Sequence, residues 1–144
     1  MKTSDYIFKT CKLLVDYFKL AIEYNESSFH TRIFVHVLHP QEKFLFSGES
    51  INIKDTTITY LEHVVPCVVL GDEVIRLIKE NKLSNDEIAT LLQKHWKVAR
   101  ITKEEQKYLD LKKNLNLKSS MPKGWNFEEG DTFARFKLGK IILK

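Results

Sequence analysis

A glutamate and a histidine stand side by side in Tyr60-Leu61-Glu62-His63-Val64-Val65-Pro66-Cys67, with Thr57-Ile58-Thr59 leading in. The run is apolar and β-branched and Pro66 stops it, so it reads as a strand that carries the pair at its end. Neighbouring strand residues point to opposite faces, so Glu62 and His63 cannot both face one core. Two readings are open. A carboxylate can bind a divalent cation while an imidazole takes a proton from water, a metal-and-base site. Alternatively the pair simply ends a strand and bonds to backbone or a lysine.

Cleavage of a phosphodiester also needs positive charge for the phosphate. Residues 111–144 hold eight Lys/Arg and three acids, a net +5, while the rest of the chain sums to −1. Arg135 is the only arginine there and the first candidate for a phosphate contact or a transition-state stabiliser. Met121-Pro122-Lys123-Gly124-Trp125 offers Trp125 for base stacking beside Lys123, with Lys137 as a further nucleic-acid contact. The competing role for Trp125 is to pin a long loop to the core. His30, His36 and His39 cluster in one stretch, with Arg32 nearby, but no acid or cysteine matches their spacing for a metal.

The positioning elements follow from periodicity and caps. Residues 4–24 predict an amphipathic helix through Ile7, Cys11, Leu14, Tyr17 or Phe18, and Ala21 or Ile22, ended by Asn25-Glu26-Ser27-Ser28. His30–His39 alternates like a strand stopped by Pro40, Lys43–Phe46 reads as a second short strand, and Ile51–Val65 as a third extended region. A helix is expected from about Asp72 to Asn81. Ser84 with Glu87 is a capping box opening a helix through Ile88, Leu91 and Leu92. Val98–Ile101 is a short strand, and Thr102 with Glu105 is a second capping box. Residues 114–130 are loop-like, Asp131 caps a helix from Thr132 to Leu138, and Ile141–Leu143 is a terminal strand.

The 144 residues suit one domain. The expected division is an N-terminal helix (1–28), an α+β core (29–113) and a basic C-terminal segment (114–144). No apolar run approaches the roughly 20 residues of a membrane span. Asp5, Lys9, Lys12 and Asp16 interrupt any secretory h-region, so a cytoplasmic location with reduced Cys11 and Cys67 is expected.

Glu62-His63-Val64-Val65-Pro66 resembles the first-strand signature of the His-Me finger (ββα-metal, including HNH) nucleases, where Asp-His or Glu-His precedes an apolar pair and a proline. The stretch from Val98 to Leu109 is similar to the strand and helix that follow in that family. The resemblance implies that Glu62 is a metal ligand, His63 the general base, and that a second ligand comes from the helix opened at Thr102. That helix carries Glu104, Glu105 and Gln106 where the family has Asn or His, and Glu105 suits Mg²⁺ or Mn²⁺.

The expectation is therefore an α+β single domain, a small antiparallel sheet with flanking helices and a ββα-metal-like core. It acts as a metal-dependent endonuclease with Glu62 and Glu105 on the ion, His63 as base and Arg135 or Lys123 on the phosphate. Two alternatives stand beside it. One is a nuclease-like protein of phage or mobile-element type that binds nucleic acid or a protein partner without chemistry. The other is a DNA-binding regulator, because Leu83–Leu92 resembles the first helix of a helix-turn-helix.

Overall fold

The strands expected around Glu62-His63 do pair. The computed structural model describes residues 2–26 and 30–144. The boundary expected at 28/29 and the Ser27-Ser28 end of the first helix lie outside those residues. In chain order the elements are α1 (Lys2–Glu23), α2 (Ile33–His36), α3 (Gln41–Leu45), β1 (Phe46–Glu49), β2 (Thr59–His63), α4 (Cys67–Glu80), α5 (Asn85–His95), β3 (Val98–Thr102), α6 (Lys103–Asp110) and α7 (Ala134–Leu138). Helices flank one small sheet without regular β-α-β alternation, so the chain is α+β as expected. Among the described residues no helix is long and apolar enough to cross a membrane.

The sheet is mixed rather than antiparallel. β3 lies in the centre, antiparallel to β2 and parallel to β1. The long route from β1 to β3, through β2, α4 and α5, gives the chain enough length to enter β3 in the direction of β1. α4 and α5 form an excursion between the antiparallel partners. Its two ends meet where the Val64 amide donates to the Lys97 carbonyl at 2.9 Å.

Two apolar clusters cover the sheet. α1 buries Ile7, Cys11, Leu14, Val15 and Phe18 at helical spacing against Val74 and Leu77 of α4 and Ile88 and Leu92 of α5, with Phe34, Trp96 and Phe127. The second cluster holds Val64, Ala99, Ile101, Leu109, Phe136 and Ile141. The C-terminal segment is thus no basic appendage, because Phe127, Arg135, Phe136 and Ile141 are buried in the fold.

Both capping boxes form as predicted. Ser84 Oγ accepts from the Glu87 amide and Thr102 Oγ1 from the Glu105 amide, each glutamate returning to its cap amide. Other expectations are corrected. His30–His39 is not a strand; Phe34 and Leu38, four residues apart, are the fully buried pair, and helical spacing wins over the alternation of Ile33, Val35 and Val37. Lys43–Leu45 belongs to α3, and β1 begins at Phe46. The region from Ile51 contributes only Thr59–His63 to the sheet. α4 starts at Cys67, not Asp72, because Pro66 at the N-cap needs no amide donor there and its carbonyl receives the Val69 and Leu70 amides at 2.9 and 3.1 Å. Helix α7 starts at Ala134, two residues late, and the terminal strand reduces to a single bridge between Ser50 and Leu143.

Candidate functional site

Register decides where the Glu62-His63 pair points. Glu62 lies opposite Ala99, and Tyr60 opposite Ile101, so Glu62 shares the face covered by the second apolar cluster. His63 lies opposite Val98, whose side chain belongs to the first cluster. The pair therefore straddles the sheet at the end of β2, where both residues reach one recess. This pocket, about 340 Å³, is lined by Glu62, His63, Cys67, Gln106, Asp110 and Arg135. The exposed Lys118 and Ser119 also line it.

The helix arrives over this pocket by way of its cap. Thr102 sits opposite Thr59, at the far end of β2 from His63. From there α6 runs along the sheet and brings Gln106 and Asp110, one turn apart, to the pocket; Gln106 Nε2 donates to Asp110 Oδ2 at 2.6 Å. A tight loop then folds the chain back on α6. Its bonds are Leu115 amide to Tyr108 carbonyl at 3.1 Å and Leu117 amide to Leu109 carbonyl at 2.7 Å, with Asn116 in the left-handed region at φ 54°.

Arg135, 1% exposed, is the centre of the pocket wall. Its Nε donates to the Val64 carbonyl at 3.4 Å and Nη1 to the Leu117 carbonyl at 2.9 Å. Nη2 donates to Glu62 Oε2 at 2.9 Å and to the His63 carbonyl at 2.6 Å. Asp110 Oδ1 stands 3.8 Å from Nη1, close enough for charge attraction but not for a hydrogen bond. The guanidinium thus fastens the end of β2 to α7 and to the loop after α6. With its donors turned to these oxygens, it is a clamp rather than the phosphate contact expected from the sequence.

Two polar atoms of the pocket are buried without a hydrogen-bond partner: His63 Nε2 and Asp110 Oδ1. Burial drives the His63 pKa down to about 4; the Phe34 backbone opposes this and Arg135 adds to it. The ring is therefore neutral through the physiological range, and its Nε2 faces no protein partner. Burial raises the Glu62 pKa, Arg135 pulls it back, and the nearby Asp110 charge raises it further. Cys67 opens α4, a position that favours a thiolate, yet burial first and the Glu62 charge second push its thiol up to about 12.

The expected ligand Glu105 is elsewhere. Its Oε1 accepts from the Thr102 amide at 2.9 Å, and its Oε2 accepts from Ser50 Oγ at 2.8 Å and Asn52 Nδ2 at 3.2 Å. Among the described residues no group of three or more His, Cys, Asp or Glu has metal-binding geometry. The donors do suit a hard cation, since Mg²⁺ is held by one or two carboxylates with water and phosphate completing its shell. Asp110 Oδ1, lacking any donor, is the kind of oxygen such an ion would satisfy.

The remaining candidates do not join the pocket. Trp125 packs on His95, ring centroids 5.1 Å apart, and donates to the Asp131 carbonyl at 2.9 Å, so it pins the 121–131 loop to the core. Lys137 pairs with Asp131 at 2.6 Å, and Lys123 is exposed on the turn before Trp125. His30, His36 and His39 are exposed, and His30 Nδ1 accepts the Arg32 amide at 3.1 Å. α5 leads into β3, so no recognition helix follows it. The sequence did carry a signal for the overlooked Asp110: in a capping box the N3 glutamate is turned back to its cap, which removes Glu105, and the i, i+4 face beyond it presents Gln106 and Asp110.

Compared with protein-family models, curated proteins and solved structures, the chain finds no match.

Proposed function

We propose that this protein hydrolyses phosphodiester bonds of nucleic acid at the Glu62-His63 pocket. The observation that carries the reading is His63 itself: a neutral imidazole whose buried Nε2 has no partner, beside Glu62 and Asp110 in a recess. The antiparallel β2–β3 pair with α6 after it is similar to the strand-strand-helix unit of the nucleases the sequence resembles, here with α4 and α5 inserted between the two strands. His63 takes a proton from the attacking water, whose oxygen bonds to phosphorus as the P–O bond to the leaving sugar oxygen breaks, and that oxygen takes a proton from solvent. A phosphate anion arriving beside the ring favours its protonated form and raises its pKa from about 4 toward working pH. Glu62 and Asp110, rather than Glu105, are the residues that would hold Mg²⁺ or Mn²⁺, which supplies Lewis-acid stabilisation of charge on the phosphate oxygens. Arg135 positions both Glu62 and the His63 backbone.

Purified protein with Mn²⁺ should cleave bis(p-nitrophenyl) phosphate and nick plasmid DNA or an RNA transcript. His63→Ala should lower the rate by roughly a hundredfold or more, the scale of a lost general base. Equal rates for the variant and the wild type sink the proposal.

A second reading has its own observation. The Arg135 guanidinium already places a positive charge between Glu62 and Asp110, where a catalytic cation would act. On this reading the chain is a nuclease-like binding protein without chemistry. Calorimetric titration with Mn²⁺ separates the two, because a site already filled by a guanidinium evolves no binding heat.

A further inference from the structure

Most residues expected to meet nucleic acid are committed elsewhere: Arg135 is buried, Lys137 is paired, and the half-buried Trp125 packs against His95 and the core. The loop after α6 has the opposite character. Lys112, Lys113 and Lys118 are exposed, and among the described residues no ion pair engages them. The loop leaves the pocket at Asp110 and returns to it at Lys118, both of which line the recess. Lys113 is three residues from Asp110, so its backbone lies within about 10 Å of the pocket wall.

The loop is also held firmly. The Asn114 and Asn116 amides both donate to the Leu111 carbonyl, at 3.0 and 3.1 Å, and Leu117 is bonded to Leu109 through its amide and to Arg135 through its carbonyl. Its exposed positions are Lys112, Lys113, Asn114, Asn116, Lys118 and Ser119. Lysine, asparagine and serine are the side chains that contact sugar-phosphate backbones. Lysine and serine are also depleted in the centres of protein–protein interfaces, which favour aromatic residues, Met and Arg.

We infer that the 112–119 loop is the docking surface for a nucleic-acid strand, with Lys112, Lys113 and Lys118 leading its phosphates to the Glu62-His63 pocket. This rests on the pocket reading above for the destination of the strand, but not for the binding itself. The lysines act as point charges on consecutive phosphates, so attachment is independent of base sequence and strongly dependent on salt. Lys112 and Lys113 also follow the C-terminus of α6, where cations stabilise a helix. A purely structural role would move stability without moving the salt dependence of binding.

The test uses the full chain and a short fluorescein-labelled single-stranded oligonucleotide, with anisotropy read in EDTA over a range of salt. Lys112→Glu/Lys113→Glu/Lys118→Glu should bind roughly tenfold or more weakly, and the slope of log affinity against log salt should fall by about 2, the share of three phosphate contacts. Lys82→Glu/Lys140→Glu, two exposed lysines away from the pocket lining, should keep most of the affinity. Urea midpoints establish that both variants fold, and Lys→Gln at the same three positions replaces charge reversal if that set unfolds. Equal losses in the two variants overturn the surface, as does polyglutamate competing as well as the oligonucleotide, which would indicate an acidic protein partner. Wild-type protein that hydrolyses bis(p-nitrophenyl) phosphate but binds no oligonucleotide removes the surface and leaves the pocket chemistry standing. Loop-dependent binding by a protein that hydrolyses nothing supports the surface and removes the hydrolase.

Discussion

Two histidines of the fold have opposite character: His95 is buried, whereas His63 is half-buried with its Nε2 shut off from solvent. His95 is fully enclosed, its Nε2 set 2.8 Å from the Phe127 carbonyl and its Nδ1 2.8 Å from Thr132 Oγ1. A carbonyl only accepts, so Nε2 carries the proton in the neutral ring, and Trp125 and Phe127 pack against its faces and edges. His63 is also pushed toward the neutral form, but its Nε2 has no partner. Burial lowers both pKa values. On the proposed reading, what separates a structural imidazole from a catalytic one is not the shift but the completeness of its hydrogen bonding. An enclosed ring with both nitrogens engaged stabilises the fold, whereas one with a bare nitrogen at a pocket would be held ready for an incoming group.

The largest effects test this contrast directly. His63→Ala should lose roughly a hundredfold to ten-thousandfold in phosphodiester hydrolysis while its urea midpoint stays close to wild type. If instead stability collapses and activity per folded molecule persists, His63 is a second structural pin. Arg135→Ala should destabilise by about 3 to 5 kcal/mol, since it leaves Glu62 and three carbonyls without their donor. Arg135→Lys should recover little of that, because an ammonium cannot reproduce the fork. Retention of wild-type stability by the alanine variant would show that the clamp is dispensable.

His95→Ala should cost about 3 kcal/mol in denaturant unfolding, from a lost buried ring and an unpaired Phe127 carbonyl. Its hydrolytic rate per folded molecule should not change; a large fall would erase the distinction between the two rings.

Acid should add a smaller, signed effect. The folded His63 pKa, about 4, lies below its ordinary value of 6.5, so the unfolded chain binds more protons between those limits. Stability from this group is complete above pH 6.5 and is lost as pH falls toward 4, on the order of 3 kcal/mol at most. Glu62, raised in the folded state, acts with the opposite sign and offsets part of that loss. Wild type should therefore lose ground against His63→Asn between pH 6.5 and 4.5 in urea titrations, and parallel curves would contradict the burial of the ring. Smallest is Glu105→Gln, which keeps a capping side chain and should shift stability by about 1 kcal/mol or less with hydrolysis unaffected. A metal-type loss of activity there would reinstate Glu105 in the site.

Local signals were read well from the sequence, and distant ones were not. The Ser84 and Thr102 capping boxes are closed within four residues, so their chemistry is visible in a short window. The strand ending at His63 was visible because Pro66 bounds it, although the same proline also starts α4, and that second role was missed. The His30–His39 stretch is apolar on both its alternating and its helical positions, so only the tertiary burial of Phe34 and Leu38 decides between them. Arg135 was found for its charge and its isolation among lysines. Its role depends on carbonyls 71 and 72 positions away, which no local pattern encodes. The carboxylate of Glu105 marks it as a ligand in the sequence, whereas its bonds to Ser50 and Asn52 arise because β1 ends beside α6.

The bond from the Val64 amide to the Lys97 carbonyl has a kinetic consequence. It closes a loop that contains all of α4 and α5, so β2 cannot meet β3 until that long segment has been gathered in. Closing a flexible loop costs entropy that grows with its length, and a helix pair that has already docked shortens the effective loop. The α4–α5 pair, with the capping box at Ser84 starting its second helix, is thus expected to form ahead of the sheet. The pocket at Glu62-His63 is then expected to assemble last, once Arg135 of α7 bonds to the finished strand end.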